Sequence, residues 1–66
     1  NLINIEINPE IQYSVSLVDV SGNILHQEEI IGQAIYSYDA SHLPPGTYFL
    51  QLTSATSNVT YKFIKE

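Results

Sequence analysis

The sequence contains no cysteine, methionine or tryptophan, and its only basic residues are Lys62 and Lys65. No disulfide can stabilise the fold, and a chain without thiols is compatible with any redox compartment. The net charge of −5 excludes the positive surface that binds nucleic acid or anionic lipid. No apolar run approaches the roughly 20 residues of a membrane helix. We therefore expect neither nucleic-acid binding nor membrane insertion.

The residues that are present favour a small folded unit. Apolar residues make up 44% of the sequence and charged residues 14%, a balance that disordered chains do not have. A chain of 66 residues forms one domain with a thin core, to which five tyrosines and two phenylalanines contribute much of the apolar area. The first residue is asparagine rather than methionine, so we expect residues 1–66 to be one module of a longer polypeptide.

Apolar and polar residues alternate in six short segments, as expected for strands with one buried face. The predicted strands span residues 1–7, 13–20, 24–31, 34–40, 48–53 and 59–65. Their connections are too short for parallel crossovers. The sequence therefore predicts an all-β fold, a small immunoglobulin-like antiparallel β-sandwich of about six to seven strands, with a small open barrel as the alternative.

Two connections carry strong turn signals. Between the second and third predicted strands, Asp19 can accept backbone N–H bonds and Gly22 can take a left-handed conformation, which predicts a hairpin. Before the fifth strand, two adjacent prolines end any regular structure, and Gly46 is predicted to supply the positive φ of a tight turn. Residues 39–43 are predicted to form one helical or 3₁₀ turn that places Leu43 in the core.

All five tyrosines and Phe63 fall on the predicted inner faces of their strands, whereas Phe49 falls on the outer face of the fifth strand. Tyrosines in a small core are more often buried than used for binding, so we expect them to form the core. Sugar binding is the alternative, and it requires several tyrosines to be exposed on one face. The residues assigned inward are Tyr13, Tyr36, Tyr38, Tyr48, Val59, Tyr61 and Phe63.

Two acidic features of the sequence partly resemble chemical sites. Residues 19–23 place oxygen ligands as the first half of a calcium loop does, but the twelfth position, Ile30, is not glutamate. An ordinary hairpin turn explains them better. Glu28 and Glu29 are adjacent on a strand, so their side chains point to opposite faces and cannot act as a carboxylate pair.

The remaining polar candidates also favour simple interpretations. His26 and His42 have no neighbouring nucleophile or second metal ligand in the sequence, so both are expected to be exposed surface residues. Asn58 begins an Asn-Val-Thr triplet, a glycosylation acceptor only in a host with that machinery. We expect no catalytic residue, no metal site and no cofactor.

Three segments together carry a family resemblance. They are residues 15–24 (VSLVDVSGNI), 38–48 (YDASHLPPGTY) and 61–66 (YKFIKE), which contain an Asp-x-x-Gly hairpin, a Leu-x-x-Gly-x-Tyr turn and a lysine-bearing last strand. With these three motifs in this order, the chain resembles the C-terminal sorting domain of type IX secretion cargo. The family usually has a Pro-Asn-Pro motif just before its first strand. Because Asn8-Pro9 lies too late in the sequence, we expect that motif to precede residue 1.

The resemblance implies a function. It predicts a non-catalytic sorting signal that directs a cargo protein across the bacterial outer membrane, so that the cargo is secreted or displayed on the cell surface. The implied partners are the type IX machinery of the outer membrane, its signal-cleaving and attachment enzyme, and a covalently linked N-terminal cargo domain. The alternative from a different class is an accessory sandwich module that binds carbohydrate or packs against a neighbouring domain.

The resemblance also assigns roles to particular residues. Asp19, Gly22, Gly46 and Tyr48 match the turn positions of the family, where turn geometry alone already favours these residue types. The last strand supplies the recognition candidates, which are Lys62, Phe63 and Lys65. Lysine on an edge strand can also serve only to prevent aggregation, and that simpler role remains open.

Overall fold

A computed structural model describes residues 2–66 of the chain. These residues form six antiparallel strands. The strands are β1 (Leu2–Glu6), β2 (Tyr13–Asp19), β3 (Ile24–Ile30), β4 (Ile35–Asp39), β5 (Gly46–Thr53) and β6 (Asn58–Lys65). All six predicted strands are confirmed, with ends that move by one or two residues. The predicted start of the first strand, Asn1, lies outside the described residues.

The strands form two sheets, which confirms the predicted sandwich. One sheet has four strands in the order β3-β2-β5-β6, and the other pairs β1 with β4. The centre of the larger sheet is apolar because Leu17 of β2 lies opposite Leu50 of β5. In the smaller sheet Ile5 lies opposite Tyr36, although they are far apart in sequence. Within residues 2–66, β1, β3, β4 and β6 each pair along one side only.

The core lies between the two sheets. Val15, Leu17 and Leu50 are completely buried at its centre. The other buried residues come from both sheets and from the turn after β4, and they are Ile5, Ile30, Tyr36, Tyr38, Ala40, Leu43, Tyr48 and Leu52. Ile3, Ile7, Tyr13 and Phe63 pack against this cluster with part of their surface exposed. Tyrosine therefore supplies a large part of the buried surface, as the composition predicted.

The hairpin between β2 and β3 is confirmed. The Asp19 carboxylate accepts bonds from the backbone N–H groups of Ser21 (2.9 Å) and Asn23 (3.0 Å). Gly22 has a φ of 87°, the left-handed conformation that this position was predicted to need. The β2–β3 pairing shifts by one residue between Leu17 and Val18, which is a bulge just before the turn.

The turn between β4 and β5 is also close to its prediction. The backbone N–H of Leu43 donates to the carbonyl of Ala40 (3.1 Å), and the Leu43 side chain is buried. Gly46 has the predicted positive φ, 157°, which side chains other than glycine rarely adopt. It occupies the first position of β5 rather than a position inside the turn.

One prediction about the core is wrong. Tyr61 and Val59 were assigned inward, but they are 42% and 43% exposed, respectively. The predicted face of β6 is nevertheless the correct one. Tyr61 lies opposite the buried Leu50, and Val59 lies opposite the buried Leu52, while Lys62 lies on the other face. The opposing sheet has only two strands, and a groove separates its β1 edge from β6. The inner face of β6 is therefore left partly uncovered.

Candidate recognition strand

The three motifs of the sequence meet at one end of the larger sheet. Strand pairing places Asp19 opposite Tyr48, and Tyr48 opposite Phe63. Gly46 lies opposite Lys65. Paired residues that are 15 to 29 positions apart in the sequence thus form one region. The C-terminal half of β6 lies at its outer edge.

The ammonium group of Lys65 is held by backbone oxygens of the turn after β4. It donates to the carbonyls of Leu43 (2.9 Å), Ala40 (3.2 Å) and Ser41 (3.3 Å). A lysine ammonium has three donors, and three carbonyls accept them here. The contact joins the last strand of the larger sheet to the chain leaving the smaller sheet. Lys65 is therefore half-buried and bonded, rather than free at an exposed end as the sequence suggested.

Phe63 is half-buried and supports the same region from inside. Its ring stacks on that of Tyr48, with 5.5 Å between the ring centres and an angle of 24° between the planes. The Tyr48 hydroxyl in turn donates to the carbonyl of Pro44 (2.6 Å). The proline pair, β5 and β6 are thereby connected through one aromatic side chain.

Lys62 has a different environment from Lys65. Its side chain is exposed on the outer face of β6, opposite Phe49. Its ammonium forms no hydrogen bond or ion pair within residues 2–66, whereas the Lys65 ammonium forms three hydrogen bonds. Of the two lysines, Lys62 is the one available to an incoming carboxylate.

The Asp19 carboxylate stabilises the hairpin turn between β2 and β3. Backbone hydrogen bonds, first that of Asn23, hold the pKa of Asp19 below its ordinary value. Its oxygens are already bonded to Ser21 and Asn23. No group of three or more potential metal-binding side chains occurs in the described part of the chain. The geometry matches the ordinary turn that was preferred from the sequence.

A second polar cluster links β3 with β4, and the sequence reading did not find it. The Glu28 carboxylate accepts a bond from the Tyr36 hydroxyl (2.7 Å) and lies 3.0 Å from His26 Nε2. The bond from Tyr36 lowers the pKa of Glu28, while burial raises that of Tyr36. The Tyr38 ring lies between His26 and His42, at centroid distances of 5.7 and 6.0 Å. This network bridges the two sheets at the side remote from β6.

Glu29 points away from this cluster. Its carboxylate accepts bonds from Gln12 Nε2 (2.7 Å) and the Ser14 hydroxyl (3.3 Å). Glu28 and Glu29 therefore lie on opposite faces and do not form a carboxylate pair, as their adjacency predicted. The sequence contains a signal for the Glu28–Tyr36 bond, because Glu28 lies two residues before the apolar Ile30 and shares its strand face, while Tyr36 is predicted to face inward.

The tyrosines do not form an exposed platform for a sugar. Tyr36 and Tyr38, on which carbohydrate binding would depend, are buried in the core, as is Tyr48. Tyr61 is exposed, and Tyr13 is partly covered. Residues 2–66 also contain no helix that is long and apolar enough to cross a membrane.

Comparison with known protein families agrees with the motifs at this end of the sheet. The sequence profile described as secretion system C-terminal sorting domain matches residues 1–66. The chain belongs to this family. As a type IX sorting domain, it marks a protein for export to the cell surface or the medium and is recognised by the type IX machinery. Sorting domains of this family are non-catalytic.

The fold of the sorting domain also resembles a solved structure. A DUF3244 family protein from Bacteroides vulgatus, with an immunoglobulin-like β-sandwich fold, superposes with a TM-score of 0.87. The two sequences are 20% identical, and the alignment covers 98% of this chain and 74% of the other. At this identity the likeness concerns the fold alone. None of the curated proteins matches the sorting domain in sequence.

Proposed function

We propose that β6 is the element by which the type IX machinery recognises this sorting domain. Lys62 is the residue that contacts the machinery, while Phe63 and Lys65 hold the strand in position. The observation that carries this proposal is the difference between the two lysines. Lys65 is bonded to three carbonyls, whereas Lys62 is exposed and unpaired within residues 2–66.

The proposed cargo arrangement follows from the family role. Residues 1–66 act as one non-catalytic module at the C-terminal end of a longer secreted protein, covalently linked to an N-terminal cargo domain. The cargo passes through the periplasm and then across the outer membrane. The signal-cleaving and attachment enzyme of the type IX system acts on it afterwards. In this proposal Asp19, Gly22, Gly46 and Tyr48 build the turns that support β6.

An export assay tests the proposal. A secreted reporter is fused to residues 1–66 with their native upstream sequence, and its export is measured in a bacterium with a type IX system. Deletion of residues 62–66 is expected to abolish export. Lys62→Gln is expected to reduce export while the thermal unfolding temperature of the purified fusion stays unchanged, because its ammonium makes no bond within the described chain.

The control is Gln27→Glu, which changes the net charge by the same single unit on β3, at the opposite edge of the same sheet. Its export should equal that of the natural sequence. Full export after deletion of residues 62–66 would show that β6 is not the recognised element.

A further inference from the structure

The free edges of β1 and β6 form the two sides of a groove with an apolar centre. Ile3 and Ile5 lie on one side with the polar Asn4 and Glu6, and Tyr61 and Phe63 lie on the other with Lys62. Within residues 2–66, β1 pairs only with β4, and β6 pairs only with β5. The groove is thus bounded by strand edges whose backbone N–H and C=O groups have no partner strand. Such an edge, next to apolar side chains, is the geometry that accepts an added strand.

The opposite edge of the larger sheet is less suited to strand addition. That edge is β3, which carries His26, Glu28 and Glu29, and both carboxylates are engaged in hydrogen bonds. Charged side chains on an edge strand, lysine included, discourage pairing with another chain unless that chain supplies the opposite charge. On β6 the exposed Val59 and Tyr61 leave apolar surface uncovered, and no acidic residue occurs between Asn58 and Lys65.

Charge complementarity indicates what would occupy the groove. Lys62 lies on the outer face of β6 and has no partner within residues 2–66, in a chain whose net charge is −5. A carboxylate on an added strand, directly opposite Lys62, would form a favourable cross-strand pair. A second copy of β6 contains no acidic residue between Asn58 and Lys65 to supply that carboxylate. Two copies would also each have a net charge of −5.

We infer that the groove accepts an extended segment of the type IX machinery, which adds to the larger sheet as a fifth strand along β6. Alternate side chains of this segment are apolar and pack on Ile3, Ile5 and Tyr61. The residue opposite Lys62 is aspartate or glutamate, on the outer face. This inference rests on the proposed function, because it specifies how the recognised strand is bound.

Peptide binding to the full-length protein tests the inference. The probe is a nine-residue peptide of alternating serine and valine that begins with serine, and a glutamate replaces its central serine. The matched control peptide has lysine at that central position. Fluorescence anisotropy measures affinity, and amide hydrogen exchange locates the site. The glutamate peptide is expected to bind about fivefold more tightly or better, because of its charge pairing with Lys62. It should also slow exchange of the β6 amides, but not those of β3.

Two variants with the same change in charge separate the two edges. Lys62→Gln should remove the preference for the glutamate peptide, whereas Gln27→Glu on β3 should leave it intact. Absence of binding, equal binding of the two peptides, or protection of β3 would overturn the inference. So would concentration-dependent dimerisation with protection of β6, because a second copy would then fill the groove.

Export measurements distinguish failure of this inference from failure of the proposed function. Tyr61→Glu places a charge in the groove at a side chain that is already exposed. If Tyr61→Glu is folded and exported normally while the equally folded Lys62→Gln reduces export, β6 is recognised but no strand is added in the groove. If Lys62→Gln and the deletion of residues 62–66 both leave export intact, the proposed function itself fails.

Discussion

At the residue scale, Lys62 and Lys65 match the same family motif but have different environments in the fold. Both lie on β6 and are the only basic residues of the chain. Lys65 faces inward and donates to three carbonyls of the turn after β4, but Lys62 faces solvent. Substitution should therefore affect folding at one position and recognition at the other.

The first prediction compares the stability effects of the two lysines. Lys65→Met is expected to lower the free energy of unfolding by about 1–3 kcal/mol, because partly buried carbonyls lose a charged donor. Lys62→Met should change it by less than about 0.5 kcal/mol. Urea unfolding followed by circular dichroism measures both. Equal effects would contradict the assignment of Lys65 as the residue that anchors β6.

The second prediction concerns alkaline pH. Burial, and then the bond to Glu28, raise the pKa of Tyr36 above its ordinary value of 10.0. The tyrosine of the unfolded chain therefore ionises at a lower pH than the folded Tyr36. Below pH 10 both are neutral and the stability of the fold is undiminished, and above pH 10 ionisation of the unfolded chain lowers that stability until the folded-state pKa is reached. We expect the free energy of unfolding to fall above pH 10, and to fall less steeply in Tyr36→Phe.

Urea unfolding between pH 8 and 11 measures this slope. Some decrease should persist in the variant, since burial also raises the pKa of Tyr38. Tyr61→Phe is the control, because that tyrosine is exposed. An unchanged slope in Tyr36→Phe would contradict the role assigned to its burial.

At the scale of elements, β6 differs from its neighbour β5. Strand β5 is paired along both sides, and its Tyr48, Leu50 and Leu52 are buried. Strand β6 is paired along one side, and its Tyr61 lies beside the groove. The interior of the sandwich therefore ends part-way across β6, which leaves an apolar surface at the edge.

The third prediction uses one tyrosine from each of these strands. Tyr48→Ala is expected to lower the free energy of unfolding by about 3 kcal/mol or more, as for other buried aromatic residues. Tyr61→Ala should lower it by less than about 1 kcal/mol, because much of its side chain is already exposed. Chemical denaturation of the two variants measures the difference. A loss of similar size in both would mean that β6 is covered in solution.

The strands of this fold were predictable because their causes are local. Alternation marked the faces, and Asp19 with Gly22 marked a turn whose hydrogen bonds involve neighbouring residues. The exposure of Tyr61 was not predictable, because it depends on how far the opposing sheet extends. The hydrogen bonds of Lys65 were also not predictable from the sequence, since the acceptors are backbone carbonyls 22 to 25 positions away. A side-chain pattern carries no information about such acceptors.

At the scale of the whole molecule, 66 residues leave little stability in reserve. At about 0.05–0.15 kcal/mol per residue, the expected free energy of unfolding is about 3–10 kcal/mol. The completely buried centre of the core consists of Val15, Leu17 and Leu50. One large cavity there would remove a substantial fraction of the total.

The fourth prediction follows from this small core. Leu50→Ala should lower the free energy of unfolding by about 2–5 kcal/mol, because it deletes a completely buried side chain between the sheets. Thermal unfolding should shift to a much lower temperature, and export of a fused reporter should fall with it. Thr56→Ala, at an exposed position between β5 and β6, is the control and should leave both measurements nearly unchanged.

The first and last strands belong to different sheets, and this determines how the domain resists mechanical force. No backbone ladder joins β1 directly to β6. Tension applied between Leu2 and Glu66 would have to pass through the interlocked core side chains and through the Lys65 contacts with the turn after β4. If a transporter grips β6 while the chain is drawn from its amino-terminal side, the two sheets would slide apart before either one unzips.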